Sequence, residues 1–282
     1  MNNKKSFLIT LLKSRKKHLQ FFSLGILILF FTPMFAKKLY GEINTLYSNH
    51  RGDTIEFSGY KWEVKESYGK QTGPGNNYFS GSKENVYVDT LGKLHLRLTY
   101  KDDKWYCPEV RMVNIHGYGN YFFSIDSLIT PLDKDIVVGL FLYDRNDSLN
   151  FHKEVDVEFS QWGHESSLNS QYVIQPKESD AHRYNTNFNK NTKHKISLRP
   201  NKIKFKSWYS EFSSDKCVLK KYSHWKVSTN KPFESENERV SVNVWLYKMI
   251  EPSNLKEFEI VISKFEFVPF ILPGILNPKP RL

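Results

Sequence analysis

The sequence predicts an all-β protein, an antiparallel two-sheet sandwich or jelly roll. From about Thr54 onward, short runs rich in β-branched and aromatic residues alternate apolar and polar positions with a period of two, as half-buried strands do. Gly, Asn, Asp and Pro separate these runs, and helical periodicity is almost absent. A dozen or so strands in roughly 215 residues favour a sandwich over a series of βαβ units.

The clearest strand runs from Lys93 to Tyr100, where three leucines at alternate positions face one way and polar residues face the other. Asp102-Asp103 is a turn signal and predicts a return strand over 104–113. The same alternation, bounded by turn residues, predicts further strands over 55–64, 85–89, 118–125, 136–143, 154–161, 171–175, 194–198, 202–209, 217–222, 240–246 and 258–268.

The net charge of +11 raises the question of a nucleic-acid partner, so its location along the chain matters. Residues 1–38 contain eight basic residues and no acid, which leaves 11 − 8 = +3 for the rest of the chain. A nucleic-acid binder carries its basic excess on the folded domain, where it neutralises phosphates. The near-neutral remainder therefore argues against nucleic-acid binding. An apolar content of 39% likewise argues against disorder.

The first 36 residues are typical of an export signal. A basic stretch ending at Lys17 is followed by the apolar run 21–31 and by Ala36 at a suitable cleavage point. The uncharged stretch 19–36 is also just long enough for a retained membrane anchor, so signal peptide and anchor both stay open. We expect the rest of the chain to be secreted, periplasmic or associated with the cell envelope, and to contact a membrane only through this segment. The predicted parts are 1–36 as signal or anchor, 37–50 as linker, 51–270 as the folded domain and 271–282 as a tail.

The cysteines and histidines give no sign of a metal centre. Cys107 and Cys217 are not part of a C-x-x-C motif, and no histidine pair has metal-ligand spacing. One disulfide between the two cysteines is compatible with an exported protein, and the sequence leaves that bridge open. We therefore expect no metal centre and no cofactor.

Segment 151–162 contains a row of acids. Successive side chains of a strand alternate faces, so Glu154, Asp156 and Glu158 share one face while the apolar residues between them point to the core. Two carboxyls about 5–5.5 Å apart suit glycoside hydrolysis, with one as nucleophile and one as acid, and like charges separate their pKa values. Trp162 has the same parity and is a candidate for stacking on a sugar ring. The alternative is an amphipathic strand whose acidic face is simply solvated.

The chain resembles glycoside hydrolase family 16, whose signature E-[hydrophobic]-D-[hydrophobic]-E stands here as Glu154-Val155-Asp156-Val157-Glu158. Further family motifs occur in the expected order over about residues 55–268. They are Phe57-Ser58-Gly59-Tyr60-Lys61-Trp62, Asn85-Val86, Gly92-Lys93-Leu94-His95-Leu96, Glu109-Val110-Arg111, Gly117-Tyr118-Gly119, Gly139-Leu140-Phe141-Leu142-Tyr143, the paired strands within 194–208, and Asn243-Val244-Trp245. The resemblance implies a concanavalin-like jelly roll with a concave substrate cleft, and Trp162-Gly163 after the acids is similar to a poorly characterised bacterial branch.

The resemblance also implies a retaining endo-β-glycosidase that hydrolyses a β-glucan or a galactan. Glu154 would be the nucleophile, Glu158 the general acid and then base, and Asp156 the neighbour that orients them. Substrate contacts are implied for Glu109, Arg111, Tyr143, Asn243 and Trp245, with Trp162 and Asn77 as weaker candidates. A structural calcium ion is common in the family, although no ligand set for it is identifiable here, and a monomer is expected.

Departures from the family pattern leave the polysaccharide open. The acidic motif lacks the extra residue of laminarinases, agarases and carrageenases, as in lichenases and xyloglucan transferases. Loop 79–82, however, has no cysteine to pair with Cys107, which differs from lichenases. Three other functions also stay open: a non-catalytic carbohydrate-binding relative, a transglycosylase that remodels envelope glycan, and an adhesin suggested by Arg51-Gly52-Asp53.

Overall fold

Two β-sheets pack face to face, which confirms the predicted sandwich. The computed structural model describes residues 51–270 apart from 127, 129–130, 166–167, 177–180, 214–215 and 229–236. The predicted signal or anchor, linker and tail lie outside the described residues. All described residues fall in one compact unit, which begins at Arg51.

The first sheet has eight strands, and all of its neighbouring pairs are antiparallel. In spatial order they are β1 (Arg51–Phe57), β2 (Tyr60–Lys65), β8 (Glu109–Met112), β17 (Arg239–Leu246), β10 (Ile136–Tyr143), β11 (Val155–Phe159), β12 (Ser170–Ile174) and β13 (Ala181–Tyr184). The face of this sheet that points away from the core carries the candidate site.

The second sheet is formed by the remaining strands. In spatial order they are β16 (Lys216–Ser228), β15 (Lys202–Ser213), β14 (Thr192–Arg199), β9 (Gly119–Ile125), β18 (Phe258–Pro269), β6 (Leu94–Lys101), β7 (Lys104–Cys107), β4 (Asn77–Phe79) and β3 (Gln71–Thr72), with β5 (Val86–Val88) paired to β6. β4 and β7 are parallel. Two short 3-10 helices, Ser148–Lys153 and Tyr247–Met249, complete the described elements. In the described part of the chain, no helix has the length and apolar character needed to cross a membrane.

The core lies between the sheets and is filled by the apolar half of each alternating strand. Leu94, Leu96 and Leu98 of β6 are fully buried, as the alternation predicts. Val242 of β17 and Phe159 of β11 belong to the same core cluster and come from the first sheet. Burying one such side chain stabilises the fold by about 1.5–3 kcal/mol. A shift of register by one residue would turn these side chains out of the core, so their burial also fixes the strand register.

Two predicted strands are wrong as single elements. The run over 55–64 is a hairpin of β1 and β2, because Ser58 and Gly59 both adopt positive φ (53° and 79°), as a tight two-residue turn requires. The run over 104–113 is split at Pro108 into β7 and β8, which belong to different sheets. Proline lacks the N–H group that a continuous strand needs. The Arg51-Gly52-Asp53 sequence forms the start of β1.

Gly119→Ala is expected to destabilise the fold by about 1–3 kcal/mol. A Cβ atom at Gly119 would lie 2.7 Å from the carbonyl oxygen of Val268 and 2.3 Å from the Phe267 ring. Because that carbonyl belongs to the paired strand β18, relief requires backbone movement. Urea denaturation measures the effect, and Asn120→Ala, at the next and partly exposed position, is the control that should change stability little. Equal stability of wild type and Gly119→Ala would contradict this packing.

Candidate active site

The open face of the first sheet forms a cleft of about 470 Å³. Strand register places side chains from distant parts of the sequence in rows across this sheet. One row contains Glu109, Asn243, Gly139, Glu158, Gln171 and Arg183. The next row, two residues along each strand, contains Glu63, Arg111, Ser241, Phe141, Asp156 and Val173. The predicted binding residues on β8 and β17 therefore meet the acids of β11 on one surface.

The three acids of the signature line this cleft. Asp156 and Glu158 lie on β11, and Glu154 immediately precedes it, after the 3-10 helix Ser148–Lys153. The apolar residues between and beyond them on β11 are fully buried in the core. The alternation inferred from the sequence is thus present, and the acids lie on the floor of a cleft rather than on a convex solvated face.

Glu154 lies in an environment that favours its neutral form. Burial raises the pKa of Glu154 to about 8, and the neighbouring carboxyls of Glu158 and Glu109 contribute to the rise. The pKa of Tyr143 is raised as well, by burial and then by Glu154. The Tyr143 ring stacks on His152 with centroids 4.5 Å apart. A carboxyl perturbed by burial and by specific neighbours in a cleft is a feature typical of enzyme sites.

Asp156 is the most deeply buried of the three acids. Burial raises the pKa of Asp156 well above its usual range, Glu154 and Glu158 add to the rise, and a hydrogen bond with Gln175 opposes it. In the described part of the chain, Asp156 Oδ2 has no hydrogen-bond partner. Because a buried carboxylate with one unpartnered oxygen is unfavourable, this environment favours the neutral form of Asp156.

Sequence-based prediction missed Gln171. It lies directly opposite Glu158 in the β11–β12 pair, and its Nε2 donates a hydrogen bond to Glu158 Oε2. Gln171 is itself buried, so its amide restricts the position of the Glu158 carboxyl. Only the register between two strands reveals this contact, since Glu158 and Gln171 belong to different strands, β11 and β12.

The wall opposite the acids is built around Glu109 and Asn243, which lie opposite each other on β8 and β17. Asn243 Nδ2 donates to Glu109 Oε2 at 3.5 Å. Lys65 Nζ forms an ion pair with the same carboxyl at 2.9 Å and donates to the Gly73 carbonyl at 2.6 Å. Gly139 leaves room for the Asn243 side chain, since a Cβ atom there would lie 2.7 Å from Asn243 Oδ1. This wall is therefore positioned by contacts within the protein.

Arg111 lies in the same row as Asp156 and is largely buried. Burial lowers the pKa of Arg111 to about 10, and the nearby guanidinium groups of Arg145 and Arg239 lower it further, whereas Glu63 raises it. In the described part of the molecule, Nε and Nη1 of Arg111 have no hydrogen-bond acceptor. Arg111 thus lines the cleft, while these two nitrogen atoms are themselves buried.

Trp245 lines the cleft and is partly buried. Gly75 approaches it closely, since a Cβ atom at Gly75 would lie 3.0 Å from the indole ring. The weak candidate Asn77 does not line the cleft. Its Nδ2 donates to the carbonyls of Pro74 and Leu246 at 2.9 and 3.0 Å, so Asn77 ties this loop to β17.

The structure does not bring Trp162 to the cleft. Strand β11 ends at Phe159, so the parity argument that placed Trp162 beside the acids stops there. Trp162 adopts a positive φ of 50° and is only 7% exposed. The guanidinium of Arg183 lies over its ring at 4.4 Å, which leaves a packing role for this indole.

Cys107 and Cys217 are both free thiols, so the bridge that the sequence left open is not formed. Cys107 is buried, and burial raises the pKa of its thiol to about 12. Within the described ranges, no group of three or more His, Cys, Asp or Glu residues is arranged to hold a metal ion.

Raising the pH from about 5 to about 9 is expected to lower the folding stability. Glu154 has a pKa of about 8 in the folded protein, above its ordinary value of 4.5, so the unfolded chain loses this proton first. The stabilisation is complete below the unfolded pKa and is lost as the pH rises through about 8; Asp156 acts in the same direction.

Urea denaturation across this range measures the effect, and Glu154→Gln should reduce the total loss by about 2–4 kcal/mol. Glu84→Gln, at an exposed site, should keep the wild-type pH dependence. An unchanged pH dependence in Glu154→Gln would contradict the raised pKa.

The solved structures most informative for this geometry are bacterial glucanases and their relatives. The Bacillus licheniformis β-glucanase superposes with a TM-score of 0.57 at 18% identity, covering 78% of this chain and 99% of that chain. A glycosyl hydrolase family 16 protein from Mycobacterium smegmatis has a TM-score of 0.52 at 14% identity, covering 76% and 97%. The fold is a glycoside hydrolase family 16-like jelly roll.

A third structure with this jelly roll has a different description. The Mycobacterium tuberculosis protein called an immunostimulatory antigen and pseudo β-1,3-glucanase has a TM-score of 0.53 at 14% identity, covering 76% of this chain and 96% of that chain. The same jelly roll thus occurs in proteins described as glucanases and in one described as a pseudo-glucanase. No protein-family model and no curated protein matches the chain.

Proposed function

We propose that this chain is an exported, retaining endo-β-glycosidase that hydrolyses a β-linked polysaccharide. The observation that carries the proposal is that Glu154, Asp156 and Glu158 all lie on the floor of one cleft, within a glucanase-like jelly roll. Retaining glycosidases need two carboxyls flanking the scissile bond, one ionised and one protonated. Export is proposed from the N-terminal sequence pattern.

In the first step, a Glu154 oxygen attacks the anomeric carbon while the glycosidic C–O bond breaks. The leaving oxygen takes the proton of Glu158 and departs as the free hydroxyl of the aglycone chain. In the second step, Glu158 removes a proton from water, the water oxygen attacks the anomeric carbon, and the bond to Glu154 breaks. Both carboxyls return to their starting states, and the two displacements retain the β configuration.

The ionisation states of Glu154, Asp156 and Glu158 fit these roles. Burial raises the pKa of Asp156, which favours its neutral form and so lowers the negative charge on the cleft floor. The negative charge of Glu158 is among the causes of the raised pKa of Glu154, so Glu154 ionises more readily when Glu158 holds a proton as the acid. One ionised nucleophile beside one protonated acid is the state that the first step requires.

The cleft walls supply groups suited to sugars. Trp245 and Tyr143 offer aromatic surfaces for stacking on sugar rings. They lie on opposite sides of the two cross-strand rows, since Trp245 is two residues beyond Asn243 on β17 and Tyr143 is two residues beyond Phe141 on β10. Arg111 adds a guanidinium group to the cleft lining. We assign these side chains to substrate binding because polar edges and apolar ring faces are what a pyranose presents.

The test is release of reducing ends by the purified chain from laminarin, lichenan, xyloglucan, agarose, carrageenan and curdlan. Glu154→Gln serves as the blank, and proton NMR of the first product measures the anomeric configuration. Release by wild type alone, with β product formed first, is the expected result. Release by both proteins, or α product first, would contradict the mechanism.

A glycan-binding protein without turnover is the second candidate, favoured by the neighbour described as a pseudo-glucanase. It predicts that a polysaccharide retards the protein in affinity gels while no reducing ends appear. If oligosaccharide acceptors instead lengthen at the expense of hydrolysis, the same residues act in a transglycosylase.

A further inference from the structure

The outer face of the second sheet, which points away from the core, carries a dense set of cations. Strands β14 and β15 bury alternate residues in the core, so the others share the outer face. We call six of these the cationic face: Lys193, Lys195, Arg199, Lys202, Lys204 and Lys206. The register places Arg199 opposite Lys202 and Lys195 opposite Lys206.

The positive charge continues onto the next strand and forms a two-dimensional array. Lys204 lies opposite Lys226, and Trp208 lies between Lys193 and Lys221 across β14, β15 and β16. Neighbouring strands are about 4.8 Å apart, and alternate residues of a strand are about 6.7 Å apart. Several cations therefore occupy three adjacent strands at separations shorter than the Debye length of physiological salt.

The cationic face lacks compensating acids. In the described ranges, no carboxylate forms an ion pair with these six side chains, and Glu266, further along the same sheet, is paired with Lys264 at 3.6 Å. The pKa of Lys195 is lowered by burial and then by Lys206 and Lys204. The pKa of Lys204 is lowered by burial and then by Lys202 and further cations. Such crowding destabilises the isolated protein, and an anionic partner relieves it.

Aromatic rings lie within the same face. Lys193 Nζ lies 4.8 Å from the centroid of Phe122, and Lys195 Nζ lies 5.7 Å from Phe122 and 5.9 Å from Trp208. These ammonium groups lie over aromatic rings, as in cation–π pairs. The combination of cations and partly buried aromatics suits the boundary between water and lipid headgroups.

We propose that the cationic face docks onto an anionic lipid surface. A linear polyanion follows one line of cations, whereas a planar layer of headgroups reaches cations on three adjacent strands at once. Docking in this way leaves the cleft of the opposite sheet facing away from the lipid and open to polymers. The inference departs from the expectation that only the N-terminal segment contacts a membrane, and it does not depend on catalysis.

The experiment measures binding of the full chain to sedimentable vesicles of phosphatidylcholine, with and without about 30 mol% phosphatidylglycerol. Lys202→Thr/Lys204→Thr/Lys206→Thr removes three cations of the face and keeps residues that suit a strand. Lys70→Thr/Lys83→Thr/Lys256→Thr removes the same charge from exposed positions elsewhere. All proteins share residues 1–36, so a difference between the two triple variants on the same vesicles does not come from that segment.

Wild type is expected to bind anionic vesicles about 100-fold more tightly than the face variant, since each surface lysine contributes about fivefold. The control variant should lose no more than about threefold, and about 0.5 M salt should abolish the difference. The single variant Lys204→Thr should lose about fivefold, which keeps the test valid if the triple variant fails to fold.

Equal losses in the two triple variants, or equal wild-type binding to neutral and anionic vesicles, would overturn the proposal. Retention on immobilised polyphosphate without vesicle binding would overturn it in favour of a linear polyanion.

Discussion

Glu154→Gln is expected to lower kcat on the hydrolysed polysaccharide by at least about 10⁴-fold while the protein stays folded. An amide is too weak a nucleophile to attack the anomeric carbon, so the glycosyl-enzyme does not form. Glutamine has nearly the same volume, and it replaces a carboxyl whose anion burial disfavours, so the melting temperature at pH 8 should be equal or higher. Reducing-end release at saturating substrate measures kcat, and thermal unfolding measures the fold.

Two controls make this result specific. Glu84→Gln changes an exposed acid that forms only a 3.8 Å surface pair with Lys101, and it should leave kcat unchanged. In Glu154→Ala, azide fits beside the shortened side chain and attacks the anomeric carbon as the aglycone leaves with the Glu158 proton. The expected product from a β-linked substrate is the α-glycosyl azide. Wild-type kcat in Glu154→Gln would eliminate Glu154 as nucleophile.

Glu158→Gln is expected to lower kcat on polysaccharide by about 10²–10⁴-fold, because the leaving oxygen of a sugar needs a proton. An aryl glycoside with an acidic phenol leaves without that proton, so its first step should slow far less. The second step still lacks a base, and the glycosyl-enzyme should accumulate. Stopped-flow measurement of phenol release should therefore show a burst of about one equivalent followed by slow turnover.

The polysaccharide and the aryl glycoside are measured with the same preparation of Glu158→Gln. A loss caused by misfolding would therefore affect both substrates equally. Equal losses on polysaccharide and activated aryl glycoside, with no burst, would remove Glu158 from the acid and base roles. Gln171, which donates to Glu158, would then position a carboxyl that takes no part in proton transfer.

Local alternation was sufficient to predict the β11 strand and the face on which its acids lie. The period of two is a property of the extended backbone, so Val155 and Val157 enter the core and Asp156 faces the cleft whatever the rest of the chain does. The sandwich was predictable for the same reason, because many short alternating strands need a second sheet to cover their apolar faces.

Contacts across strands were not predictable from the residues alone. The hydrogen bond from Gln171 to Glu158 and the proximity of Arg239 and Arg145 to Arg111 depend on pairing between segments far apart in sequence. The position of Trp162 could not be predicted from alternation, because alternate side chains share a face only within a strand and β11 ends at Phe159. The family resemblance supplied the residues of β8 and β17 where alternation could not.

The net charge of the chain did not predict the cationic face. The chain beyond Lys38 carries only +3, yet the outer face of β14 and β15 concentrates positive charge because acids lie elsewhere on the fold. The net charge of the chain does not show how positive and negative charges are distributed over the folded surface. The strand register shows which charged residues share a face.

Pro108 joins the two layers of the sandwich next to the cleft. Cys107 on one side of it belongs to the second sheet and Glu109 on the other side to the first. The Pro108 carbonyl accepts a hydrogen bond from Val244 N at 3.1 Å, and the Cys107 carbonyl accepts one from Ser80 N at 3.1 Å. Each bond holds the chain on one side of Pro108 to its own sheet, so the short link between the two layers is anchored at both ends beside Glu109 of the cleft. Amide protons of Ser80 and Val244 should accordingly exchange slowly with solvent, which hydrogen exchange measures.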